Sequence, residues 1–237
     1  MELVLLLTAV CAVTYTFEIV FGLAGTIIML MVMTFFFDAK LLVVYSVLPQ
    51  ILVAVIGLYR SPRTVEFREW LAMVSFALAG GIVGIAVFYY FPGDSFRYLL
   101  ASVITLTGMY LVVSPKRFAI GRRLGRGLDL LGGMSQGMVG ISGPIVMTRL
   151  LGTYDNKTLV RNYALAFYLA LNMGRLSVYV AQGTIDGNIL KMMAISGPVL
   201  FIVLWFSNHL HFKTNEALFR KVVSWVILFG GISLFFH

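Results

Sequence analysis

Apolar residues in this chain run in long blocks separated by short charged joints. Blocks at residues 41–59, 70–91 and 96–113, and again at 159–181, 189–208 and 217–236, are about 20 residues each, the length that spans a roughly 30 Å hydrocarbon core as a helix. Polar joints at 38–40, 60–68 and 92–94 divide them. The first block, residues 3–37, would make a straight helix of about 50 Å, too long for one crossing. A break at Gly22-Leu23-Ala24-Gly25-Thr26-Ile27-Ile28-Met29 resolves the excess. A stronger version, Gly140-Ile141-Ser142-Gly143-Pro144-Ile145-Val146-Met147, interrupts the block at 128–151. Glycines three residues apart, followed by Thr or Pro, mark the end of one half-helix and the start of another.

The two breaks belong to a duplication. Gly22, Gly25 and Met29 align with Gly140, Gly143 and Met147, and after a one-residue slip Asp38 and Lys40 align with Asp155 and Lys157. Near the ends, Phe96-Arg97, Val103 and Gly108 align with Phe219-Arg220, Val226 and Gly231. The predicted organisation is a first membrane repeat over 1–113, a basic linker over 114–126 and a second repeat over 127–237. Transporters are commonly built from such repeats.

Composition removes the soluble alternative. The chain is 60% hydrophobic with a mean hydropathy of +0.94, well above an aqueous domain. Its net charge of +8 is a topology signal rather than a nucleic-acid footprint, because the basic residues cluster between apolar blocks. If each broken block crossed the membrane once, Lys and Arg would divide nine to eight between the faces. If each is a hairpin returning to its starting side, the division becomes fourteen to three, with Lys40, Arg97 and Lys191 on the sparse face and Arg175 inside the membrane. The positive-inside rule selects the hairpin. A hairpin plus three crossings is an odd count, so the repeats are expected in opposite orientations with both termini outside the cell membrane. The expected fold class is thus all-α and integral to the membrane, with two inverted repeats, each a broken or hairpin helix plus three transmembrane helices. The start Met1-Glu2-Leu3 lacks the basic opening of a signal peptide, so the first segment is expected to be retained. Lone Cys11 cannot form an intrachain disulfide.

Few residues within the apolar blocks carry chemistry. Arg175 stands in the third quarter of its block, with Asn172 one turn earlier on the same face. An intramembrane arginine marks a functional pathway by default, and its planar fork suits sulfonate, sulfite or carboxylate oxygens. The alternatives are an ion pair with Glu18 or snorkelling to the outer edge. Glu18, four residues before Gly22, is either a protonatable coupling group or the neutraliser of Arg175. At the breaks, Gly25, Thr26, Ser142 and Gly143 would offer backbone N–H and hydroxyl donors to an oxyanion, though small residues also permit close helix packing. Gln50, beside Pro49, and Gln136, beside Ser135, either line the same cavity or satisfy backbone at kinks. His209, His211 and His237 lack ligand spacing and read as interfacial. Gly80-Gly81-Gly84 and Gly230-Gly231 read as helix contacts, since no strand precedes them. No nucleophile–base pair, metal cluster or cofactor motif is expected.

The pattern resembles the TauE/SafE (TSUP) family of membrane anion exporters. Gly137-Met138-Val139-Gly140-Ile141-Ser142-Gly143-Pro144 resembles the family's second glycine-rich break, Gly183-Thr184-Ile185-Asp186 its Gly-x-x-Asp joint, and Leu218-Phe219-Arg220 with Gly230-Gly231 its closing helix. The first copy departs from the family by lacking the usual glycine run, so symmetric substrate contacts are not implied. The resemblance implies transport of sulfite, sulfonates or related small anions. The expected function is therefore secondary export of a small sulfur-containing anion, with proton-coupled uptake of an organic anion as the alternative. A membrane-embedded enzyme or an assembly factor is less favoured, because only Glu18 and Arg175 lie deep. The expected partners are the small anion and the lipid bilayer, without nucleic acid; a homodimer is compatible with the sequence.

Overall fold

The computed structural model describes residues 2–21, 24–59, 61, 65–113, 119–207 and 216–236, with backbone alone for Phe21, Asp94, Lys157 and residues 216–223. Gly22, the three histidines and residues 114–118 of the expected linker lie outside the described residues. The described helices are α1 (Glu2–Phe21), α2 (Gly25–Met33), α3 (Ala39–Tyr45), α4 (Val47–Tyr59), α5 (Phe67–Tyr90), α6 (Gly93–Val113), α7 (Arg122–Val139), α8 (Gly143–Leu151), α9 (Lys157–Ala181), α10 (Gly187–Ser207) and α11 (Glu216–Ser233). Among the described residues, six segments are long and apolar enough to cross a membrane, with α3 and α4 together counting as one. Polarity is distributed accordingly. Glu18, Gln50, Gln136, Asn172 and Arg175 are buried, whereas Val13, Ile82, Leu106, Phe206 and Phe229 face outward. Lipid solvates the outer apolar side chains, so polar groups gather where protein can partner them. The protein is an all-helical integral membrane protein.

Both apolar blocks break where the glycines predict. The short helices α2 and α8, nine residues each, rise only about 13 Å and fold back on their predecessors. Gly25 sits so close to α1 that a Cβ there would lie 2.5 Å from the Thr14 carbonyl oxygen. In the second pair, the Ile120 amide donates to the Gly152 carbonyl at 3.0 Å, bringing the end of α8 to the residues just ahead of α7. Each broken block is a hairpin.

Two details add to the sequence reading. The block at 39–59 is interrupted at Ser46, three residues before Pro49; a proline lacks the N–H that would bind one turn back, so the helix loosens there. Residues 122–126, the end of the expected linker, are helical and open α7 ahead of the apolar block at 128. They stay helical because α7 runs alongside α5 beyond its apolar part, with the Arg126 guanidinium 5.2 Å from the Phe76 ring.

Packing between the halves is reciprocal. The long arm of each hairpin lies on a spanning helix of the other half, α7 on α5 and α1 on α10, while α4 pairs with α9 and α6 with α11. The α5–α7 contact brings backbones together: a Cβ at Gly133 would lie 1.8 Å from the Ala77 carbonyl oxygen, and one at Gly84 would lie 2.0 Å from that of Met134. Glycines at these positions therefore serve helix contact, in line with the sequence reading of Gly80, Gly81 and Gly84.

Candidate substrate site at the two helix breaks

The tips of the two hairpins meet. A small cavity of about 20 Å³ between them is lined by Glu18 of α1, Ala24, Thr26 and Ile27 of the first break, Gln50 of α4, Gln136 of α7, Gly140 to Gly143 of the second break, and Tyr168 of α9. That volume holds roughly one water molecule; a sulfur oxyanion would require the walls to part. The helix starts of both α2 and α8 border this space, and the first-turn N–H groups of a helix carry partial positive charge.

The second tip is held by a continuous net of neutral amides. Gln136 Nε2 donates to Gln50 Oε1 at 2.6 Å and to Asn172 Oδ1 at 3.2 Å, and its own Oε1 accepts from Ser142 Oγ at 2.7 Å. Gln50 Nε2 donates to the Gly140 carbonyl at 3.1 Å, while its Oε1 also accepts from Asn172 Nδ2 at 2.9 Å. Ser135 Oγ closes the turn on the Ile141 carbonyl. Gly140 has φ +75°, a left-handed conformation that glycine adopts without cost.

Arg175, 1% exposed, stands behind this turn. Its terminal nitrogens donate to Asn172 Oδ1 and the Val43 carbonyl, each at 2.9 Å, and to the Tyr179 hydroxyl at 3.3 Å. A Cβ added to Gly140 would lie 3.1 Å from the guanidinium, so Arg175 is packed against the turn itself. Asn172 and Arg175 thus reach the cavity through Gln50 and Gln136. The ion pair with Glu18 considered from sequence is not formed: among the described residues the ion pair is Arg149–Asp129, at 3.1 Å.

Glu18 binds elsewhere. Its Oε2 accepts from the Thr26 backbone N–H at 2.7 Å and from Thr26 Oγ1 at 3.0 Å. A Cβ on Gly25 would collide with this carboxylate at 2.7 Å. The carboxylate, 6% exposed, therefore caps the start of α2. The structure places Gly25 and Thr26 at the first tip, Ser142 and Gly143 at the second, and the amide pair Gln50–Gln136 between the tips.

Two residues near the site escaped the sequence reading, and Gly140, read there only as part of the break, gains a further role. Tyr168 lines the cavity. Arg161, counted there only as a topology charge, is buried, and its Nε and one terminal nitrogen donate to the Ile19 carbonyl at 3.2 and 3.1 Å. It thereby satisfies an orphan acceptor in the last turn of α1. Gly140 is the acceptor on which Gln50 converges. The spacing of Arg161, Tyr168, Asn172, Arg175 and Tyr179 follows one helical face, and that polar stripe was the available signal.

A larger cavity of about 510 Å³ lies between α5, α7 and the end of α8, lined by Arg68, Arg122, Arg126 and Arg149 together with Glu66, Glu69 and Asp129. Its charges are mixed, and it borders the start of neither α2 nor α8.

The family described as Sulfite exporter TauE/SafE matches residues 6–234, nearly the whole chain, including both breaks. The chain belongs to the TauE/SafE family. Membership makes it a membrane transporter of the sulfite-exporter type, in agreement with the resemblance drawn from Gly137–Pro144. No curated protein matches the chain.

Proposed function

We propose that this TauE/SafE member exports a small sulfur-containing anion, sulfite or an organosulfonate, by alternating access around the two hairpin tips. The observation that carries the reading is the cavity walled by both helix starts, where Thr26, Ser142 and Gly143 converge with Gln50 and Gln136. Donors from two directions suit the spread charge of an oxyanion. Asn172 and Arg175 act from behind, fixing the amide net and adding a positive charge beside the second tip. The small volume corresponds to a closed form, and the reciprocal packing of hairpin and spanning helix supplies two similar units that can rock against each other.

In this reading the repeats, 1–113 and 127–237, are oriented oppositely, both termini lie outside the plasma membrane, and the arginine-rich joints face the cytoplasm. An inside-negative potential favours exit of an anion by about 2.3 kcal/mol per charge per 100 mV, so export needs no coupling ion. The test is flux of sulfite, thiosulfate, sulfoacetate, taurine and sulfate in proteoliposomes, together with thermal stabilisation of the protein by each. Saturable flux of a sulfur oxyanion is expected; neither flux nor stabilisation by any of them removes the proposal. Flux that proceeds only inward, and only with an imposed proton gradient, would favour the uptake alternative.

A further inference from the structure

The donors expected to receive the substrate at the first tip are already occupied. Thr26 offers its backbone N–H and its hydroxyl, and both point at the same Glu18 oxygen. Glu18 also lines the cavity, so a carboxylate of the protein sits where one side of an oxyanion would rest. Among the described residues no carboxylate does the same at the second tip, where Ser142 faces the neutral Gln136 and the start of α8 has no side-chain cap from its own N-cap residue. Two anions sharing one donor pair in a low-dielectric space repel strongly.

Resting on the proposed transport reading, we infer that Glu18 is a tethered occupant of the substrate site: its carboxylate holds the start of α2 while the site is empty, and it gives up Thr26 when an anion binds. Release follows when a proton from water adds to the carboxylate, since the neutral acid is a weaker acceptor than the ion. Anion and proton then bind together, by reciprocity each raising the affinity for the other, and a divalent anion accompanied by that proton still leaves with one net negative charge down the potential. Gly25 reinforces the assignment, because any side chain there would push the carboxylate off its donors.

The groups facing Glu18 leave it as the one that titrates on binding. From α1 itself comes Tyr15, whose hydroxyl accepts from Thr26 Oγ1 at 3.3 Å, with Cys11 one turn further. From α9 come Tyr168 and, holding the adjacent Ile19 carbonyl, Arg161. Tyr45 of α3 is engaged with Ser196 of α10. Elements α2, α4, α7 and α8 present Thr26, Gln50, Gln136 and Ser142, which do not ionise.

The test uses thiosulfate, whose charge is constant from mildly acidic to mildly alkaline buffer, with the full chain in lipid nanodiscs. Wild-type affinity is expected to weaken as pH rises, and thiosulfate binding to take up a proton in weakly buffered solution. Glu18→Gln is expected to bind about tenfold or more tightly at alkaline pH and to lose the pH slope. Equal affinity and equal slope in the variant would overturn the inference and leave Glu18 a structural cap. Should the variant fail to fold, the wild-type proton count decides: no uptake at any pH overturns the inference. Absence of anion binding by wild type in every buffer would instead strike the transport reading on which it rests.

Discussion

The two hairpin tips start from related sequences and end in different chemistry. At the second, Gly140 takes the left-handed conformation, and Gln50, Gln136, Asn172 and Arg175 gather around it from three helices in a net of donors and acceptors. At the first, Ala24 takes the left-handed conformation, φ 79°, and the start of α2 is capped by the charged Glu18 from within the same hairpin. The first break thus carries an alanine in the left-handed region, with the Glu18 carboxylate bound to the helix start beside it. The difference teaches that a duplicated backbone need not carry duplicated chemistry. One tip is held by neutral amides, Gln136 of its own hairpin with Gln50 of α4 and Asn172 of α9, and by a guanidinium. The other is held by a carboxylate that, in the inference above, a proton and an anion dislodge.

Substitutions can break this contrast, beginning at the second tip. Gly140→Val should be the most damaging, since a β-branched residue at positive φ is strained and its Cβ meets the Arg175 guanidinium. A loss of roughly 2–4 kcal/mol in stability is expected, read as loss of folded protein in a detergent thermal melt. Arg175→Ala removes the donor to Asn172 and the Val43 carbonyl and should cost about 2–3 kcal/mol, abolishing flux along with stability. If Arg175→Ala weakens anion binding while its melting temperature is unchanged, the guanidinium touches substrate directly rather than through the turn.

Gln136→Glu makes the second tip resemble the first at nearly constant shape. A carboxylate facing Ser142 should weaken thiosulfate binding by about tenfold or more at alkaline pH, with recovery on acidification. Binding that keeps its strength at every pH would show that the anion does not approach the second tip. The smallest effect is expected from Ala24→Gly. Relief of the left-handed strain is worth about 1 kcal/mol, partly offset by the greater freedom of glycine in the unfolded chain, so a slight rise in melting temperature should appear with transport intact. A fall would mean that the Ala24 methyl, which lines the cavity, contributes packing that outweighs its strain.

Much of the architecture could be read from the residues. Block length and charge asymmetry led to hairpins, because hydrocarbon thickness and the distribution of Lys and Arg restrict what a backbone can do in a bilayer. Glycine spacing located both breaks. The candidate site was legible only as a list of candidates: Gly25, Thr26, Gln50, Gln136, Ser142, Gly143, Asn172, Arg175 and Glu18 are polar or small residues in apolar surroundings, and such positions are few. What escaped was partnership. Arg175 and Glu18 looked like natural counterions, yet each bonds other groups: the terminal guanidinium nitrogens bond Asn172, Tyr179 and a carbonyl, with the buried Nε left without a partner, and the carboxylate bonds a helix start. Arg161 was hidden for a related reason: it stands near a block end, where most arginines meet water, and only the return of α1 beside α9 supplies the Ile19 carbonyl that buries it.

Sequence by itself thus determined that the chain lies in a membrane, where its backbone is interrupted and which residues are polar enough to matter, because all three follow from local apolar length and local breakers. Tertiary structure alone decided which polar group meets which. A buried hydrogen bond depends on the approach of helices far apart in the chain, as Gln136 meets Gln50 across 86 residues, and no local pattern encodes that geometry.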